Sequence, residues 1–424
     1  MPPLSSAITR QPGSQSSNSS YLLPSFGWTG YLDRNINQAS ASGTDTRSVL
    51  VGNLVLQRVG PRSQLNLDYA GGVQAYGSSY WNNTNAVPPG WGTVQQLSFE
   101  ATLTGPRWSW TLGDQGMYLP ESPFGFPGFA GLQTFGGGSG GAYLGSQTQI
   151  SPLVAANQSV LTGESRRYAD TLLGEVDYKT SQRSTLTVTG TAGLIHFVDP
   201  GFINSRTGTI LVGYDYLLTR RNEISLTYLD SEMEFSQAAD AVLERGLLLG
   251  YQHEFSRKLS VSLSGGPAQN ELALPLGGNV KLASWFMNDS LHYSFRLAGL
   301  SAGFYRFTNS GAGVTNGLTT ELTSVSASWP FYGKSSLALG GGYAYNQSLR
   351  ADLSGGRRSQ YETWQAGVTL SREYGGHTSI YLQYQFQYQI SANPICFLGG
   401  CRLYADRQLL GAGINWHGRP ILLP

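Results

Sequence analysis

Charge is scarce in this chain: Asp, Glu, Lys and Arg make up 12% of its 424 residues, against roughly 25% in an ordinary soluble domain. The two signs cancel to a formal net charge of +1, so there is no electrostatic footprint for nucleic acid or for an acidic partner. No apolar run approaches the ~18 residues of a transmembrane helix. If the fold meets a membrane, a closed barrel is the remaining way to satisfy every backbone group. Only two cysteines are present, and two thiolates without nearby histidines make an incomplete metal shell. The five histidines, His196, His253, His292, His377 and His417, show no metal-ligand or triad spacing. His253-Glu254 lacks the second histidine of a zincin helix. The chain offers no catalytic set and no metal or cofactor site, so an enzyme is not expected.

What is present is Ser, Thr, Asn and Gln together with 55 Gly, 24 Tyr, 17 Phe and 9 Trp. The most telling stretch is 378–390. Ile380, Leu382, Tyr384, Phe386, Tyr388 and Ile390 alternate there with Gln383, Gln385, Gln387 and Gln389, a repeat of two that puts the two sets on opposite faces. About 13 such residues rise roughly 43 Å, longer than a globular strand and suited to a tilted strand crossing a bilayer.

The pattern recurs. In 96–104, Leu97, Phe99, Ala101 and Leu103 oppose Gln96, Ser98, Glu100, Thr102 and Thr104. A turn at Gly105-Pro106 is expected to pair Thr104 with Arg107 and Leu103 with Trp108, keeping apolar opposite apolar and Ser109 on the polar face. In 184–196, Leu186, Val188, Ala192 and Leu194 alternate with Thr185, Thr187, Thr189 and Thr191. Similar strands are read at 48–58, 63–76, 167–179, 208–219, 222–233, 241–255, 258–267, 280–296, 298–308, 319–330, 335–346, 359–371 and 405–417. Short turns alternate with long connections rich in Gly, Asn and Ser, as in an up-and-down barrel with short periplasmic turns and long external loops. An ascending strand must precede 48–58, and Phe26-Gly27-Trp28-Thr29-Gly30-Tyr31-Leu32 supplies it. The expectation is an all-β chain folded as a single up-and-down antiparallel transmembrane β-barrel of about 18 strands, or 16 if 21–34 is not a strand or two short segments fuse. Residues 1–20 read as a disordered segment, 21–417 as the barrel and 418–424 as a tail.

The connection 116–166 stands apart by length. It carries Phe124, Phe126 and Phe129 and then the run Gly136-Gly137-Gly138-Ser139-Gly140-Gly141. It either folds into the pore as a constriction or caps the mouth. The glycine run spells a nucleophile elbow and a dinucleotide fingerprint by accident, since no amphipathic helix follows it. Charges assigned inward are Asp68, Glu100, Arg107, Glu175, Asp177, Asp215, Glu223 and Arg296. Of these, Glu100, Arg107, Glu175, Asp177 and Arg296 are candidates for a constriction field, and the alternative is a solvated rim. Cys396 and Cys401 flank Phe397-Leu398-Gly399-Gly400 in an expected external loop and favour an intraloop disulfide over two free thiols. Tryptophans such as Trp28, Trp108, Trp110, Trp285, Trp329, Trp364 and Trp416 suit interfacial girdles.

On these features the chain resembles the outer-membrane porins of Gram-negative bacteria over residues 21–417. The resemblance is architectural and transfers no functional residue. By strand count it is similar to sugar porins and to exopolysaccharide-export barrels, which implies passive passage of small polar solutes, saccharides above all. An exported polysaccharide, or a barrel with a loop-borne adhesin or enzyme activity, is the alternative. It also implies outer-membrane lipid, lipopolysaccharide and the barrel-assembly machinery as partners, and a homotrimer is compatible with the apolar outer face. The start Met1-Pro2-Pro3-Leu4-Ser5-Ser6 lacks the basic and apolar regions of a signal peptide, so a start further upstream is expected. The family usually ends on an aromatic residue of its last strand, whereas here Trp416 leads into 417–424.

Overall fold

A computed structural model of the chain describes residues 4–5, 19–34, 44–77, 91–119, 166–236, 241–273, 278–295, 298–311, 313, 315–351, 358–397 and 400–423. The alternating segments become β1 (Tyr21–Arg34), β2 (Thr44–Val59), β3 (Ser63–Tyr76), β4 (Trp91–Thr104), β5 (Trp108–Leu119) and β6 (Arg167–Lys179). They continue as β7 (Ser184–Phe197), β8 (Ser205–Thr219), β9 (Asn222–Phe235), β10 (Ala241–Ser256), β11 (Leu259–Ala273) and β12 (Asn279–Phe295). The last are β13 (Ala298–Asn309), β14 (Leu318–Phe331), β15 (Ser335–Ala351), β16 (Arg358–Tyr374), β17 (Thr378–Phe397) and β18 (Gly400–His417), with a two-residue β19 (Ile421–Leu422).

Each strand from β1 to β18 pairs antiparallel with its neighbours in the chain, and β18 returns to β1 from Ser25↔His417 to Arg34↔Gln408. The result is a closed antiparallel β-barrel of eighteen long strands. Following Cα partners once around the ring returns to β1 displaced by about 22 residues, a shear that tilts the strands roughly 40° and sets a backbone diameter of about 36 Å. Closure carries one irregularity. Beyond His417 the pairing with β1 resumes at Leu22↔Ile421 with one extra residue on the C-terminal side, a bulge over 418–420 that lets the tail extend the last strand.

The faces sort as the repeat of two demands. On β17, Ile380, Leu382, Tyr384 and Ile390 are 40–51% exposed on the outer face, while Gln383, Gln385, Gln387 and Gln389 are 1–7% exposed on the inner one. On β5, outward Trp108 and Tyr118 lie ten residues apart; at this tilt that is about 25 Å along the axis, the height of an apolar transmembrane band. Trp108 packs on Tyr178 with centroids 4.2 Å apart and Tyr118 on Tyr168 at 4.8 Å, marking two aromatic girdles.

Two expectations are corrected. The β4–β5 hairpin pairs Leu103 with Trp110 and Ala101 with Leu112, two residues later than the sequence pattern suggested, and Gly105 N–H bonds the Trp108 carbonyl. Pro106, with fixed φ and no N–H, suits the first turn position and cannot serve as a ladder donor. A slip of two preserves the face, so the pattern alone could not expose it. Second, Cys396 and Cys401 sit in strand ladder rather than loop, because β17 runs on to Phe397 and β18 begins at Gly400. Similarly β5 reaches Leu119, so the long connection starts at 120.

Candidate functional site

The outer face is mostly apolar, although Asp230 and Arg245 pair on it at 3.5 Å, and the polar side chains concentrate on the inner one. Along β17 the glutamine amides project inward and are incompletely paired by protein: Gln383 Oε1, Gln385 Oε1 and both amide heteroatoms of Gln389, and of Gln365 on β16, have no protein hydrogen-bond partner. Buried amides in that state call for water or a hydroxylated solute.

The acidic residues gather on another part of the wall. Thr187 donates to Asp177 at 2.8 Å and Thr189 to Glu175 at 3.3 Å, joining β7 to β6. Asp215 on β8 and Glu223 on β9 lie near the same short-turn ends, and all four carboxylates are buried. Ser98 is buried on the inner face, whereas Thr102, Thr185, Ser109, Glu100 and Asp68 are half-buried. Arg107 is exposed in the β4–β5 turn and is a rim charge, not a constriction charge, a consequence of the two-residue shift. Arg296, Phe124, Phe126 and Phe129 lie outside the described residues.

Sequence reasoning missed three features. The first is a charged cluster at the closing seam: Asp33 on β1 takes Arg407 from β18 and lies 4.0 Å from Arg47 on β2, and Arg47 covers the Tyr31 ring at 4.6 Å. Parity on β18, with Leu410 and Trp416 outward, was the available signal for an inward Arg407. The second is an apolar arc on the inner wall, formed by Leu211, Leu229, Leu248, Phe286, Phe307 and Leu322. The wall is therefore two-sided, with apolar side chains beside the polar ones. A repeat of two separates faces but does not require the inner one to be polar where something packs on it.

The third is a contact between two connections at the long-loop end. The connection between β13 and β14 folds inward until the Gly313 carbonyl accepts a 3.0 Å hydrogen bond from Ile203 N–H, on the connection between β7 and β8. Gly311, Gly313 and Gly317 hold φ of 79°, 84° and 88°, conformations open to glycine. The base is pinned by Asn309, whose Nδ2 donates to Thr320 Oγ1 at 2.6 Å and whose Oδ1 accepts from Gly311 N–H at 2.9 Å. At the rim Arg166 donates to Asp199 at 2.6 Å, a bond that raises its already high pKa.

No family model matches the chain. Among curated proteins there is no match either. Among solved structures it is similar to the outer-membrane protein OpdK of Pseudomonas aeruginosa, at 9% identity and TM-score 0.45, over 94% of this chain and 99% of that one. It is also similar to OccK2 (OpdF) of the same organism, at 11% identity and TM-score 0.47, covering 94% and 98%. A third is OccAB3 of Acinetobacter baumannii, at 10% identity and TM-score 0.45, covering 94% and 99%.

With the barrel established by its own pairing, the site is its interior: an amide row, an acidic shelf, an arginine-rich seam, an apolar arc and an infolded connection. The Gly-rich spelling Asn309-Ser310-Gly311-Ala312-Gly313 was the available signal for the last.

Proposed function

We propose that this chain is a passive outer-membrane channel for small polar solutes, with saccharides the best-suited cargo and no covalent chemistry. One observation carries the reading: a closed ring with a mostly apolar exterior presents, on its inner face, a row of glutamine amides that protein hydrogen bonds only partly fill. Such groups exchange bonds between water and sugar hydroxyls at little net cost. Lipopolysaccharide and membrane lipid would contact the girdled exterior, and the barrel-assembly machinery would insert it. The amphipathic wall suits sugars, which present hydroxyl edges to amides and C–H faces to apolar side chains.

Planar-bilayer recording of the refolded protein, joined to swelling of vesicles in isosmotic sugar, tests this. Stepwise currents and sugar-dependent swelling are expected. A heat-modifiable, folded barrel giving neither would end the channel reading and shift weight to an adhesin or enzyme.

A further inference from the structure

Leu4 and Ser5 are buried inside the cylinder against β8, β9 and β10, although they closely precede β1, which faces β10 across the ring. Leu4 N–H donates to Glu223 Oε1 at 3.1 Å, Ser5 N–H donates to Asp215 Oδ1 at 2.9 Å, and the Ser5 hydroxyl donates to Asp215 Oδ2. The wall leaves room for these residues. A Cβ on Gly213 would fall 2.3 Å from Ser5 Cβ, and one on Gly250 would fall 2.8 Å from Leu4 Cδ2. Inward positions of a barrel strand ordinarily carry side chains; here two are empty where the segment lies. Asp215 and Glu223 are 2% and 3% exposed, and buried carboxylates are tolerated only when donors meet them. Backbone N–H groups and a hydroxyl are such donors, and hydrogen bonds to charged acceptors are the stronger kind.

We propose that this glycine-floored acidic shelf is a docking site for the chain's own segment around Leu4 and Ser5, which obstructs the lumen near its short-turn end. The obstruction rests on the channel reading above, whereas the docking does not. The segment is a tethered occupant that holds the carboxylates in their buried setting and must lift away for the full bore to open. The shelf is specific in shape as well as charge: Leu4 and the Ser225 hydroxyl share the space over Gly250, and the Ser5 hydroxyl reaches the second oxygen of the Asp215 carboxylate.

Two measurements separate these parts. In full-length protein carrying Cys396→Ser and Cys401→Ser, a Ser5→Cys substitution is labelled with a polar maleimide in the folded, heat-modifiable state. Labelling is expected to be at least tenfold faster when Asp215→Asn and Glu223→Gln are added, and likewise when Gly213→Leu fills the floor. Equal rates in the parent and in both folded variants would overturn the docking. In planar bilayers, deletion of residues 1–18 is expected to raise the mean open current at least 1.5-fold; an unchanged current alongside the labelling difference would overturn the obstruction. Silence of both parent and deletion would sink the channel reading, and the obstruction with it, while the labelling result stands on its own.

Discussion

Arg407 on β18 grips Asp33 on β1 across the seam that closes the cylinder, with Nε 3.0 and 3.2 Å from the two carboxylate oxygens and Nη2 bonded to the same group. Arg47 approaches the same carboxylate from β2, so one anion serves two cations on three adjacent strands. Asp33 is fully buried and both arginines nearly so.

Removing one partner of a buried pair leaves an uncompensated charge, so Asp33→Ala should lower stability by about 3–5 kcal/mol. Replacing Asp33 and Arg407 together by Leu and Met should cost less than the single change, because only Arg47, and no longer Arg407 as well, then loses the Asp33 carboxylate. Urea unfolding followed by loss of the fast-migrating barrel band measures both. A single variant as stable as the parent would remove the cluster's claimed role in closure.

The two faces of β17 make a paired prediction. Leu382→Arg places a cation on the apolar exterior near mid-height and should cost about 2–4 kcal/mol. Gln383→Arg, the adjacent residue on the inner face, should leave the unfolding midpoint nearly unchanged while moving the zero-current potential in a salt gradient toward anion preference. Equal destabilisation by the two would contradict the assignment of faces.

Particular residues show what the sequence could disclose. The Gln383-to-Gln389 row fixed the direction of β17 unaided, because a buried polar row and an exposed apolar one follow from a repeat of two. The short and long connections allowed the strands to be counted. Pairing register was less legible: Leu103 could meet Trp108 or Trp110 without violating face matching, and turn chemistry at Pro106 decided. Convergence across the ring was not legible at all. Nothing near Ser5 signals Asp215, and nothing near Ile203 signals Gly313, because both contacts join segments far apart in the chain that closure brings together.

Cys396 and Cys401 are direct register partners between β17 and β18. Opposed residues in an antiparallel pair hold Cα atoms roughly 4.5–5.5 Å apart, within the span a disulfide accepts. In protein purified without reductant a thiol assay under denaturing conditions should find no free thiol, and both after reduction. Two reactive thiols from the outset would remove the bridge.

The infolded connection between β13 and β14 offers the sharpest test of what sets the bore at the long-loop end. A Cβ on Gly313 would fall 2.4 Å from the Phe197 ring, and its φ of 84° disfavours any other residue. Gly313→Val should therefore push the connection off the wall and break the Ile203–Gly313 hydrogen bond, while the ladder of β13 with β14, which ends at Asn309↔Leu318, stays intact. Open-channel conductance should rise by about half or more, since loops folded into a barrel set its conduction. The heat-modification temperature should stay near that of the parent. An unchanged conductance in a folded variant would mean that the narrowest point lies elsewhere along the axis.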